Sequence, residues 1–216
     1  MILGRFLEKC VAWYSCGSCA QKEPVDIDLI VPISYCVTPE GLARATRENF
    51  LLAVRYARQF PHATTAFSNV EYVFQGAACL ESSQKHRILK EYAVPDDLVI
   101  ETEPIVNSVE EARAIRTRLD SVRMQPRRIL LITGAMHAPS ARLIWGAVFP
   151  EAQVLIRCIP HEYEAQADHP ITALRTRIRW LAANIARHLM LLALGLRITA
   201  RFRHLISHGK SNPSSG

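Results

Sequence analysis

The chemistry of this 216-residue sequence is concentrated around one histidine, set in a turn of small residues between a buried-type strand and a helix. The run reads Arg128-Ile-Leu-Leu-Ile-Thr133-Gly-Ala-Met-His137-Ala-Pro139-Ser140. Junctions of this kind are where open α/β sheets hold ligands, and an imidazole there can donate, accept or titrate near neutral pH. Pro139 suits a first helical turn, so His137 falls at or just before a helix N-terminus. The positive end of that helix disfavours imidazolium and leaves a neutral ring able to act as a base or a hydrogen-bond donor. His137 is therefore the catalytic candidate, flanked by Thr133 and Ser140 as ligand-binding candidates. Its competing role is simply to fix the turn.

A second set lies upstream. Ser108 and Glu111 fit the Ser-x-x-Glu capping box, in which hydroxyl and carboxylate satisfy each other's backbone amides. With Asn107 they open a helix whose free N–H groups suit a phosphate or carboxylate. Glu103 is placed either to orient His137 or to bind a ribose-like hydroxyl; the alternative is a solvated loop carboxylate. Arg47 offers a bidentate guanidinium to an anion, or else belongs to a solvated face with Arg44, Arg55 and Arg58. Ser68 and Asn69 add side-chain donors on a neighbouring loop. No nucleophile elbow or matched base is recognisable, which makes a serine-hydrolase reading weak.

The elements that must position these groups alternate. Strands are expected at 26–33, 63–67, 98–101, 128–133 and 154–159, with helices at about 42–59, 81–92, 108–122 and 139–148. Such alternation implies parallel pairing and right-handed crossovers. The fold class is α/β: an open, doubly wound, mainly parallel five-stranded sheet with a basic C-terminal helical extension. Its ligand crevice lies at the carboxyl ends of the strands, where the loops 34–41, 68–76, 101–108 and 133–139 converge. Neither G-x-G-x-x-G after strand one nor a Walker lysine loop is present, which disfavours ordinary dinucleotide binding. The expected divisions are a segment at 1–24, the α/β domain at 25–160, the extension at 161–210 and a tail at 211–216.

Read in order, Glu103, then Asn107-Ser108-Val-Glu110-Glu111-Ala112, then Ile-Leu-Leu-Ile-Thr133-Gly-Ala-Met-His137-Ala-Pro139-Ser-Ala141 resembles the bacterial SanA, ElyC and YdcF family over roughly 26–160. The resemblance implies a Rossmann-like domain, a link to envelope and peptidoglycan-precursor physiology, and S-adenosylmethionine as a ligand in part of the family. It supplies a fold and a site more than a reaction. The family's glycine-rich turn after strand one is here Ile33-Ser34-Tyr35-Cys36, and its Ser-Gly-Gly after strand two is Phe67-Ser68-Asn69-Val70. Its arginine after the histidine is Ser140, and Arg142 is turned nearly to the opposite helix face. Losing glycine narrows an anion cradle, so the ligand differs from the relatives' or the activity is lost.

Six cysteines are scattered, and only Cys16-Gly-Ser-Cys19 is closely spaced. It is either a redox or metal pair or, as expected, a set of unpaired thiols in a reducing compartment. Glu8 and Lys9 interrupt the apolar start before a leader can form. No run reaches the roughly 18 apolar residues of a membrane span, so the expected location is cytoplasmic, with the inner-membrane surface as a peripheral site.

That peripheral site rests on charge. Residues 171–216 carry eight Lys/Arg and no Asp/Glu, so a net charge of +6 leaves the remainder at −2. After Asp168-His-Pro170, apolar positions recur at Leu174, Ile178, Leu181, Ile185, Leu189, Leu192 and Leu196, accompanied by arginines that include Arg187 and interrupted by Gly195. The segment packs on the domain or oligomerises, lies on an anionic membrane through 171–210, or contacts nucleic acid, the last with least support. Two functions follow. One is an α/β enzyme acting on a phosphorylated or nucleotide-like small molecule, with His137 as acid/base. The other is a non-catalytic accessory protein at the membrane surface in envelope biogenesis.

Overall fold

The computed structural model describes residues 2–15, 17–19, 23–38, 40–70 and 77–199. Five strands form one parallel sheet: β1 (Leu29–Pro32), β4 (Thr64–Phe67), β5 (Val99–Glu101), β6 (Arg128–Gly134) and β7 (Gln153–Ile159), in the order β5-β4-β1-β6-β7. β2 (Val37–Thr38) and β3 (Gly41–Leu42) make a small antiparallel hairpin after β1. The helices are α1 (Ile2–Ser15), α2 (Arg44–Gln59), α3 (Ala77–Glu91), α4 (Ser108–Ser121), α5 (Ala138–Val148) and α6 (Arg177–Thr199).

The layers follow from period-two alternation along the strands. Ile30, Leu130 and Ile132 face α2 and α3 through Phe50, Val54 and Leu89. Leu29, Val31, Ile129 and Leu131 face the other way, against Ile115, Ile144 and Trp145 of α4 and α5. The chain runs outward from β1 through β4 to β5, then crosses back to β6 on the other side of β1. The carboxyl ends of β1 and β6 therefore flank the point where strand order reverses, and a crevice opens there. The expected doubly wound sheet is the observed one, with strand ends displaced by three residues at most.

Three local features depart from the sequence reading. α1 is a helix whose Leu7 and Val11 enter the core, and the β2–β3 hairpin occupies what reads as a plain loop. Two-residue strands carry too few positions to show a period. The third concerns the thiols: Cys19 and Cys158 form a disulfide with a Cα–Cα distance of 5.9 Å, which corrects the expectation of unpaired thiols for these two. Cys16 and the tail at 211–216 lie outside the described residues.

α6 corrects the expected apolar stripe. Leu174, Leu181 and part of Ile185 turn inward, but Ile178, Leu189 and Leu192 are exposed. The inner face is instead Trp180, Asn184, Arg187 and Leu191, at the i, i+4, i+7, i+11 spacing of one helix side, with Leu181 beside them. Leucines all round the helix made two faces look alike. α6 packs against α5, its backbone leaves helical geometry at Gly195 (φ +67°), and no described helix is long and apolar enough to cross a membrane.

Candidate functional site

Tyr35 bridges the ends of β1 and β6: its hydroxyl accepts from the Gly134 N–H at 2.9 Å and shares a hydrogen bond with Thr133 Oγ1 at 3.0 Å. His169 fixes the loop behind it. The His169 Nδ1 accepts from the Ile171 N–H, so the proton is on Nε2, which donates to the Tyr35 carbonyl at 2.7 Å. Cys36, next in the chain, has φ +72°. The backbone thus keeps the left-handed shape that glycine would take most readily, although glycine is absent from this turn.

At the end of β6 the chain must pass under Glu164. A Cβ on Gly134 would lie 2.0 Å from the Glu164 carboxyl carbon, so only glycine allows this approach. Glu164 Oε1 accepts from the Met136 N–H at 2.9 Å, and Oε2 accepts from the Trp180 indole N–H at 3.0 Å. The turn that carries His137 is thereby clamped to α6. Burial raises the Glu164 carboxyl to about 7, against the lowering effect of those donors.

His137 is the N-cap of α5 and is buried. Asn184 of α6 donates its Nδ2 to the Trp180 carbonyl at 2.9 Å and so must offer Oδ1 to the ring, 3.1 Å from His137 Nδ1. The imidazole proton therefore sits on Nδ1, and the Nε2 lone pair faces Ser108 Oγ at 3.4 Å. Trp180 stacks on the ring at a 30° interplanar angle. Arg187 Nη1 lies 3.4 Å from Nδ1, already protonated, so that contact is a close charge rather than a second hydrogen bond. Burial first and the Arg187 charge second hold the imidazole down to about 3. Burial and a neighbouring cation, rather than the helix end, are what favour the neutral ring here.

These groups line a cavity of about 480 Å³, within the usual range for small-molecule sites. Its walls are mostly apolar: Ile33, Val70, Ile105, Ile144, Leu174, Met190 and Leu191. The polar lining includes Ser34, Asn107, Ser108, Glu111, His137 and Arg187. Among the described residues Arg187 has no carboxylate partner. Its guanidinium lies 5.6 Å from the Trp180 ring centre, and burial lowers its pKa. Glu111 is 2% exposed, with one carboxyl oxygen unpartnered. Burial pushes this carboxyl up to about 8, so it keeps its proton at neutral pH.

The structure separates the sequence candidates. His137, Asn107, Ser108 and Glu111 reach the cavity. The capping box does not form as expected: Asn107 Oδ1 accepts from the Val109 and Glu110 N–H groups, and Glu110 accepts from the Val106 N–H. Capping by Asn107 leaves the Ser108 hydroxyl free for His137 and directs Glu111 inward.

Glu103 is exposed and does not line the cavity; Asn184 holds the place at His137 that it was expected to fill. Arg47 is 63% exposed beside Glu48, on the solvated face. Thr133 is spent on Tyr35. Ser140 is buried on α5 and does not line the cavity. Arg142 donates to the Ser18 carbonyl, away from the site.

Ser68 and Asn69 serve an internal network rather than a ligand. Lys85, fully buried, donates to Glu81 at 2.9 Å, the Ser68 carbonyl at 2.8 Å and Asn69 Oδ1 at 3.1 Å. Asn69 in turn donates to Glu101, and Ser68 pairs with Thr102. This lattice fixes residues 68–70 at the end of β4.

Tyr35, Trp180, Asn184 and Arg187 are the site residues that sequence reasoning missed. No family model and no curated protein matches the chain. Among the described residues no group of three or more His, Cys, Asp or Glu side chains is placed to hold a metal ion.

Proposed function

We propose that this chain binds a small amphipathic anion, an apolar body carrying one carboxylate or phosphate, in the cavity between the ends of β1 and β6 and beneath α6. The observation that carries this is Arg187, a cation inside an apolar cavity with no acidic partner among the described residues. Its side chain is half-buried, a charge drawn out of water is unfavourable unless compensated, and a guanidinium matches carboxylate or phosphate in bidentate geometry. The N-terminus of α4 adds a positive dipole end, and the protonated Glu111 offers one hydrogen bond. A nucleotide is less well served, because the expected ribose partner, Glu103, does not line the cavity. The resemblance to the SanA, ElyC and YdcF family keeps S-adenosylmethionine and polyprenyl phosphates among the compounds to test.

Isothermal titration with decyl phosphate, decanoate, decanol and S-adenosylmethionine tests this reading. The two anions bind, decanol binds at least tenfold more weakly, and Arg187→Ala removes the difference. Equal binding of decanol and decyl phosphate, or an unchanged affinity in Arg187→Ala, overturns it.

The outward side of α6 supports a second role at an anionic membrane surface. Leu189 is 59% and Leu192 61% exposed, on the helix that leads the basic segment. Apolar residues beside basic charge favour interfacial binding. Full-length protein floats with phosphatidylglycerol vesicles, and Leu189→Ser/Leu192→Ser reduces flotation several-fold; equal flotation of the two rejects the role.

A further inference from the structure

Resting on the anion-binding reading above, we infer that Ser108, His137 and Asn184 form a nucleophile, base and orienter that hydrolyse an ester of the bound amphipathic anion. The three come from α4, the start of α5 and α6; Ser108 and His137 line the cavity, and Asn184 stands behind the ring. Asn184 Oδ1 holds the Nδ1–H of His137 at 3.1 Å, leaving Nε2 unprotonated and 3.4 Å from Ser108 Oγ. Both contacts run in the sense required of a hydroxyl nucleophile, a neutral base and a group that fixes its tautomer. The spacing to Ser108 is the loose one typical of such pairs before substrate tightens them. Ser108 opens α4, so the reacting carbonyl lies in the field of a helix N-terminus, which stabilises developing negative charge.

The reaction balances without an oxidant or a cofactor. Ser108 Oγ bonds to the ester carbonyl carbon as Nε2 takes the hydroxyl proton. The bond from that carbon to the alcohol oxygen then breaks, and the alcohol takes the proton from Nε2. Water adds to the acyl carbon and gives its proton to Nε2. The Ser108 ester bond then breaks, and Oγ recovers that proton, so ester and water become acid and alcohol. The Nδ1 proton stays on the imidazole throughout, donated to Asn184 Oδ1.

Arg187 supplies a coupling. Its charge beside the ring opposes imidazolium, and an anionic group seated on the guanidinium offsets that charge. Seating the anionic end of the substrate removes the second of the two effects that oppose imidazolium, burial being the first, so the site favours charged esters over neutral ones of equal length.

A fluorophosphonate probe and two chromogenic esters test the inference on the full chain. Mass spectrometry finds the probe on the Ser108 peptide, and Ser108→Ala abolishes labelling. Mono-4-nitrophenyl suberate is hydrolysed at least tenfold faster than 4-nitrophenyl octanoate; Ser108→Ala and His137→Ala lose at least a hundredfold, and Asn184→Asp keeps more activity than Asn184→Leu. Ser108→Ala keeps the far-ultraviolet circular dichroism and the cooperative melting of wild type, which shows that it folds. Labelling of the wild type decides the matter even if a variant does not fold. Probe on other residues or on none, or hydrolysis unchanged in Ser108→Ala, overturns the proposal. If decyl phosphate nonetheless binds through Arg187, the anion-binding reading stands; if labelling succeeds and decyl phosphate does not bind, that reading alone fails.

Discussion

Glu111 shows how burial changes what a residue is. On a surface it would be an anion at neutral pH; inside the cavity wall its carboxyl titrates at about 8 rather than 4.5. The folded state therefore holds one more proton than the unfolded chain between those values, so this group's contribution to stability falls as pH rises through them. Glu111→Gln removes that dependence: the variant gains on wild type by a few kcal/mol between pH 5 and pH 8.5, at about 1.4 kcal/mol per unit. Urea unfolding at the two pH values measures the difference, and a constant offset between the proteins refutes it. His137 acts in the opposite sense, losing stability as pH falls from 6.5 towards 3, so only the comparison with the variant isolates Glu111.

Among the elements, the β6–α5 turn depends most on one small residue. Gly134→Ala would drive its methyl into Glu164 and break the carboxylate from both Met136 and Trp180, a loss of about 2–4 kcal/mol. In a Glu164→Ala background the same change costs clearly less, because the obstacle is gone; additive losses would argue against the clamp. This turn was legible in sequence because an apolar run, a glycine and a proline sit in consecutive register. The sheet was legible for the same reason, each long strand having enough positions to show its period. The rest of the site was not: Tyr35, Asn184 and Arg187 lie 102, 47 and 50 residues from His137, and nothing local marks an arginine on a basic helix as the one that turns inward. Of the two roles open to Glu103 in the sequence, its exposure fits the solvated loop carboxylate.

At the scale of the whole molecule, the Cys19–Cys158 bridge closes a loop with a sequence separation of 139, tying the N-terminal segment to the end of β7. Constraining so long a loop in the unfolded chain stabilises the fold by about 3–5 kcal/mol. Cys19→Ser, or dithiothreitol on wild type, lowers the melting temperature by several degrees, whereas dithiothreitol leaves Cys19→Ser unchanged; a shift in the variant as well would point to another thiol. In an oxidising compartment this strap is closed, and in a reducing one it opens. α6 has a different reach. It supplies Trp180, Asn184 and Arg187 to a crevice whose other wall is built by strands and helices that precede it. During synthesis the sheet can form while the ribosome still holds this last described helix, yet the nascent domain has neither the cation nor the orienter. On the proposed anion-binding reading, a clip in the 164–176 segment would separate Arg187 and Asn184 from the chain that carries His137, so proteolysis there would act as an irreversible off switch.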